Sequence, residues 1–204
     1  MTDGYPIPAC FAEREHVVRK SRFIARAHPV SDRVEALGRV EEARSDYPDA
    51  RHHCWAYLIG DPGSASTAAT EDDGEPGGTA GKPILNVIQH KGIGDVLVVV
   101  IRYFGGVKLG AGGLTRAYAQ ATERVLAELP LERHEHRLNA TVSLDFSQEQ
   151  ALRHWAASRR AEFVGIRYGD GVEIDLHLPL AVRDTFREFC AAHSITIRNE
   201  NQAS

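Results

Sequence analysis

Asp95-Val96-Leu97-Val98-Val99-Val100-Ile101-Arg102-Tyr103-Phe104-Gly105-Gly106-Val107-Lys108-Leu109-Gly110-Ala111-Gly112-Gly113-Leu114 is the stretch on which the reading of this chain turns. Asp95 to Tyr103 is an unbroken apolar strand. A strand with no polar alternation is buried on both faces, so it belongs at the centre of a sheet. The run is far too short to span a bilayer. A glycine-rich turn follows, carrying Arg102 and Lys108, with Arg116 just beyond. Leu114 to Leu129 then reads as an Ala-rich amphipathic helix that stops before Pro130. Tyr118, Ala121, Val125 and Leu129 fall near one face.

Upstream lies a second glycine block, Glu71-Asp72-Asp73-Gly74-Glu75-Pro76-Gly77-Gly78-Thr79-Ala80-Gly81-Lys82-Pro83, with four carboxylates in five residues. Glycine loses more chain entropy on folding than any other residue, so two such blocks point to backbone geometry that a Cβ would forbid. One block is acidic and the other basic. The expectation is that they face each other, with Asp72, Asp73, Glu75 and Lys82 on one side and Arg102, Lys108 and Arg116 on the other.

Around these blocks, Ser21 to Val30 reads as a strand and Ser31-Asp32 as a helix N-cap. Val34, Leu37, Val40 and Ala43 follow at helical spacing. His53 to Ile59 is a strand, Asp61 to Thr79 a long loop, and Pro83 to His90 a helix with proline in its first turn. Beyond Pro130 the pattern restarts. Arg137 to Phe146 is a strand, and Ser147 to Arg160 a helix with Ser147 and Gln150 spaced as a capping box. Phe163 to Tyr168 and Val172 to Leu178 form a hairpin about Gly169-Asp170-Gly171. A helix over Leu180 to His193 and a strand over Ser194 to Arg198 complete a β-α-β-β-α-β, ferredoxin-like order. Pro130 to His136 reads as a linker. The fold class is therefore α+β in two domains, residues 1–136 and 137–204.

The 204 residues carry 24 Lys and Arg against 28 Asp and Glu, a net charge of −4. That balance excludes a bulk electrostatic nucleic-acid binder but leaves room for a local patch. Three dispersed cysteines do not make a disulfide framework. With no apolar run after a basic start, the expected location is the cytoplasm.

The residues suggest several chemistries. Gly77 to Pro83 resembles a phosphate-binding P-loop. Its glycine spacing is one residue short, Pro83 stands where a hydroxyl belongs, and acids precede it. Glu71, Asp72, Asp73 and Glu75 suit a hard cation by ligand type. They equally suit capping of the helix that starts near Ala80. No metal or cofactor is expected. His52 and Cys54 share a strand face, but no second ligand pair has zinc-site spacing. Cys54 with a histidine base is a nucleophile candidate only if its thiol pKa is depressed. The second glycine block, leading from a strand into a helix N-terminus, suits an anion. The same glycines also suit tight turns and close packing. In the second domain Arg153, Arg159 and Arg160 form a basic cluster with His154 and Arg167. That cluster reads either as complement to a helix dipole or as a phosphate contact.

Lys20-Ser21-Arg22-Phe23, His53-Cys54-Trp55-Ala56-Tyr57, Asp72-Asp73-Gly74-Glu75-Pro76, Gly78-Thr79-Ala80-Gly81-Lys82-Pro83-Ile84-Leu85, Val100-Ile101-Arg102-Tyr103-Phe104-Gly105-Gly106, Lys108-Leu109-Gly110 and Gly113-Leu114-Thr115-Arg116-Ala117-Tyr118 run in order through most of the first domain. In these strings the chain resembles the bacterial YigZ and eukaryotic IMPACT family. The resemblance implies a first domain, an α/β sandwich, folded like a ribosomal-protein and elongation-factor G module. It implies a ferredoxin-like second domain. It also implies a translation-linked regulator, with RNA, the ribosome or a translation-associated protein as partner and no membrane. The leading expectation is a non-enzymatic binding module. The alternative is an enzyme or sensor that takes a phosphorylated, nucleotide-like small molecule between the two glycine-rich loops.

Overall fold

In the computed structural model, which describes residues 4–64 and 67–202, the chain divides into two compact units, Tyr5–His134 and the residues from Glu135 onward. The first contains β1 (Tyr5–Pro8), β2 (Ala12–Val18), β3 (Ser21–Pro29), α1 (Arg33–Asp46), β4 (His52–Ile59), β5 (Thr67–Glu71), α2 (Gly81–Lys91), β6 (Val96–Tyr103), α3 (Ala111–Ala127) and β7 (Leu131–His134). Its main sheet has the order β2-β3-β6-β4-β5. Every neighbouring pair in it is antiparallel.

β6 is the central strand, and its apolar run serves two cores. Val96, Val98 and Val100 pack with Ile84, Ile88, Leu114 and Tyr118 on the side of α2 and α3. Leu97, Val99 and Ile101 pack with Ala36, Val40 and Ala43 of α1 on the other. Each fully buried aliphatic side chain is worth roughly 1.5–3 kcal/mol before chain entropy is subtracted, so this strand anchors both layers. The same alternation continues to Arg102, which therefore turns its side chain toward α3 and not toward α1.

The structure differs from the sequence reading in several elements. Leu131–His134 is not linker: it pairs antiparallel with Tyr5–Pro8. Ala12–Val18 is an edge strand whose charged residues face solvent. Part of the expected 61–79 loop is strand β5, paired with Trp55–Ile59. α3 begins at Ala111, so Gly112 and Gly113 lie in its first turn. In α1 Asp32 is the N-cap. Val34 is 81% exposed, and Ala36 takes the core position instead.

The second unit contains β8 (Arg137–Leu144), α4 (Phe146–Ala157), β9 (Glu162–Tyr168), β10 (Val172–Pro179), α5 (Arg183–Ala192) and β11 (Thr196–Gln202). Its sheet order β11-β8-β10-β9 with two helices is the ferredoxin-like arrangement. Leu138, Val142, Ile174, Leu176, Leu152, Trp155 and Phe186 form its core. The capping box of α4 is Asp145 with Gln148, two residues earlier than the expected Ser147 and Gln150. A short 3-10 turn over Leu180–Val182 precedes α5, so the last helix is shorter than expected.

His28 on β3 is buried beside Arg26 and Arg39. Burial first, and then the charges of Arg39 and Arg26, bring its pKa down to about 4; Glu42 and Glu13 oppose them weakly. The unfolded chain protonates the ring near about 6.5, so it binds the extra proton first. The stability that depends on a neutral His28 is complete above pH 6.5 and is lost as pH falls toward 4, by roughly 1–3 kcal/mol. Urea unfolding of the parent and His28→Gln should show a stability gap at pH 7 that narrows by pH 4.5. A gap independent of pH would contradict this assignment.

Candidate functional site

The C-terminal end of β6 places a charge where the layer against α3 would otherwise be apolar. Arg102 Nη1 donates to Glu75 Oε1 at 2.5 Å. The two side chains are only 8% and 3% exposed. The Tyr118 hydroxyl, from α3, donates to the same carboxylate oxygen at 2.8 Å. The Cys54 thiol of β4 lies 3.3 Å from the Tyr118 hydroxyl and 3.0 Å from the Asp72 carbonyl oxygen. One buried network thus joins β4, β6, α3 and the acidic loop. Burial pushes the Cys54 thiol far above the ordinary cysteine range, against the opposing effect of its hydrogen bond to the Tyr118 hydroxyl. A thiol so held is protonated and inert, which removes it as a nucleophile.

The rest of the acidic block is engaged as well. Asp72 accepts from the backbone amides of Gly78 at 2.6 Å, Gly81 at 2.8 Å and Ala80 at 3.0 Å. Burial would raise its pKa, but the three amides outweigh it and hold the carboxyl below the usual range. The amides that a P-loop would offer to phosphate are therefore filled by the chain's own carboxylate. Of the two readings of this block, helix capping describes Asp72. Asp73 takes a two-pronged contact from Arg44 at 3.0 and 3.2 Å and accepts from the His53 amide at 2.6 Å. Its pKa is also low, because Arg44 and that amide together outweigh burial.

The two glycine blocks do meet, at Glu75 and Arg102. Asp72 and Asp73 instead turn toward α2 and Arg44. Lys82, Lys108 and Arg116 are exposed and make no ion pair among the described residues. Gly105 shows why the basic block needs glycine. A Cβ there would lie 2.0 Å from the Lys20 carbonyl carbon, and its amide donates to Ser21 Oγ at 3.1 Å. This packing holds the Arg19-Lys20 turn against the loop. The N-cap of α3 is Gly110, so the helix has no side-chain cap, and there is no acid in its first turn. Arg19, Leu109, Gly113, Arg116 and Gln120 line a cavity of about 220 Å³ there.

One end of the sheet therefore gathers exposed cations from a β-turn, a glycine loop and a helix start. Arg19 and Lys20 were missed as site residues because nothing in their local pattern distinguishes a turn on the surface from a turn at a site. The basic cluster of the second unit looks different. Arg153 pairs with Glu149 at 2.8 Å and lies over the Phe163 ring. Arg159 lies over Trp155, and Arg160 pairs with Glu135 at 2.6 Å. On the sheet face away from the helices, Arg167 bridges Glu173 and Asp175.

Removing Glu75 should expose the cost of the buried pair. Glu75→Ala leaves the Arg102 charge without its partner and should lower unfolding free energy by roughly 3–5 kcal/mol. Combining it with Arg102→Met removes the stranded charge and should recover most of that loss. Equal destabilisation in the single and double variants, read by urea unfolding, would contradict a stranded charge as the cause.

Comparison with known proteins places the chain. Residues 19–126 match the Impact N-terminal domain, and residues 142–191 match a domain of unknown function. The Escherichia coli IMPACT family member YigZ is 35% identical over 181 residues, which cover 88% of each chain. The Saccharomyces cerevisiae protein IMPACT homolog is 32% identical over 111 residues, 53% of this chain and 42% of that one. A crystal structure of a hypothetical protein aligns with a TM-score of 0.72 at 30% identity, covering 97% of both chains. With this extent of identity and both matched domains in order, the chain belongs to the IMPACT family.

Proposed function

We propose that this protein is a non-catalytic, translation-linked regulator that binds RNA, free or within the ribosome, through the cationic end of its first unit. The carrying observation is the group Arg19, Lys20, Lys108 and Arg116 beside the uncapped start of α3, exposed and without ion-pair partners among the described residues. Flexible, unpaired cations and free helix amides suit backbone phosphates, which supply affinity without reading sequence. A net charge of −4 leaves the chain without a general attraction for a polyanion, so binding centres on this corner. Family membership supports the link to translation. Among the described residues no helix is long and apolar enough to cross a membrane, and the reading places the protein in the cytoplasm, where translation occurs.

Arg153, Arg159 and Arg160 form a secondary contact in this reading. Arg153 and Arg160 are held by acids and Arg159 by an aromatic ring, so each must give up a partner to take a phosphate.

Binding of a fluorescent structured RNA to the full chain should weaken steeply with salt. The Lys108→Ala, Arg116→Ala double variant should flatten the slope of log affinity against log salt by about 1.4–1.8, as expected for two lost phosphate contacts. Alanine at Arg153, Arg159 and Arg160 should have the smaller effect. Identical curves for the parent and the Lys108, Arg116 variant, or no binding at moderate salt, would overturn the RNA reading in favour of a protein partner.

A further inference from the structure

A second opening lies on the same end of the sheet, apart from the four cations of the RNA reading. Asp49, Arg51, His52, Arg102, Tyr103 and Phe104 line a cavity of about 380 Å³. Pockets for small organic ligands begin near about 300 Å³, so the space exceeds what a bare oxyanion fills. Three features give it a chemical character.

First, Arg102 is 7% exposed as a residue, and its guanidinium lies over the Phe23 and Phe104 rings with its hydrogen-bonding donors only partly used. Nη1 goes to Glu75, while Nε is buried and has no hydrogen-bond partner. The Nε–Nη2 edge is the one that takes a phosphate or carboxylate in two parallel bonds. Buried donors are nearly always satisfied, so an empty one beside a cavity points to a partner that arrives from outside. Second, the exposed Arg51 adds a cation on β4's approach, next to His52. His52 Nδ1 donates to the Asp73 carbonyl oxygen at 2.9 Å, which leaves Nε2 uncommitted. Third, Phe104 is 58% exposed although it directly follows a buried strand. An exposed ring with the Arg102 guanidinium 5.9 Å from its centroid suits stacking of a flat base. Asp49, exposed at the rim, offers an acceptor to hydroxyl or amino groups.

We propose that this cavity is a mononucleotide site, with the phosphate monoester on Arg102 and Arg51 and the base stacked on Phe104. Arg102 thereby has two roles. One edge locks the acidic loop through Glu75, and the other receives the ligand, so occupancy is felt directly by the buried network. The site is lined by none of Arg19, Lys20, Lys108 and Arg116, and so it stands whether or not the chain binds RNA.

The test is a titration of the full-length, ¹⁵N-labelled protein with adenosine 5′-monophosphate, with inorganic phosphate and adenosine as separate arms. The expected result is saturable amide shifts at residues 49–52 and 102–104, with the monophosphate binding more tightly than either fragment. Phe104→Ala should weaken the monophosphate about fivefold or more and leave inorganic phosphate unchanged. Arg51→Ala should weaken both about tenfold. Both residues are exposed, so neither change threatens the fold. The Lys108→Ala, Arg116→Ala variant should bind the monophosphate like the parent, which separates this site from the RNA surface. No shifts at millimolar monophosphate, shifts clustered elsewhere, or affinity unchanged in Arg51→Ala and Phe104→Ala would overturn the proposal. Equal binding of inorganic phosphate and monophosphate would overturn the nucleotide assignment.

Discussion

The ion pair between Arg102 and Glu75 is the constraint on which the glycine-rich end of the first unit depends. A charge pair this deeply buried is a poor source of stability, because desolvation offsets most of the attraction. Its consequence is positional. Glu75 lies in a loop that would otherwise be free to move, Arg102 on the most buried strand of the sheet, and Tyr118 on the helix behind both. Breaking the pair strands a charge, so the loop has one low-energy place. Once the loop is placed, the Asp72 carboxylate sits over the start of α2, and Asp73 lies between Arg44 and the β4 backbone.

A consequence of this arrangement is that the charges of the two glycine blocks are not equivalent. All three carboxylates of the Asp72, Asp73 and Glu75 set have internal partners. Among the cations, Arg102 is internal, while Lys108 and Arg116 are left to solvent beside Arg19 and Lys20. The carboxylates of the acidic loop are therefore satisfied internally, while the basic loop presents free charge. That asymmetry favours an anionic partner over a metal ion, because a cation would have to displace donors that already satisfy the carboxylates.

The second unit shows the same distinction in reverse. A ferredoxin-like sheet is a familiar platform for single-stranded RNA when its open face carries aromatic rings. Here that face carries Arg167 between Glu173 and Asp175, with Thr141 donating to Asp175. Among the described residues no Phe, Tyr or Trp shares that face, only the ring of His177, and carboxylates oppose phosphate. The exposed rings of this unit, Phe146 and Tyr168, instead stack on each other at a centroid separation of 6.3 Å. Its architecture alone thus says little about function.

The order of the major elements, the central place of Val96 to Ile101, the face of α3 and the ferredoxin-like pattern were all legible in the sequence. Each rests on local periodicity, which one stretch of chain carries by itself. The family was legible for a similar reason, since its glycine and charge strings are contiguous. The short strands β1, β5 and β7 were not legible. Such strands form because a distant partner offers a ladder, as Tyr5–Pro8 does for Leu131–His134, and no local pattern records that. The site divides along the same line. Sequence marked Asp72, Asp73, Glu75, Arg102, Lys108 and Arg116 as charged groups on glycine-rich turns. Tertiary structure alone decided which of them neutralise one another, because an ion pair depends on a few ångströms between side chains 27 or 29 residues apart. The register of β3 on β6, with the packing of Gly105 against Lys20, brings the Arg19-Lys20 turn to the basic glycine loop.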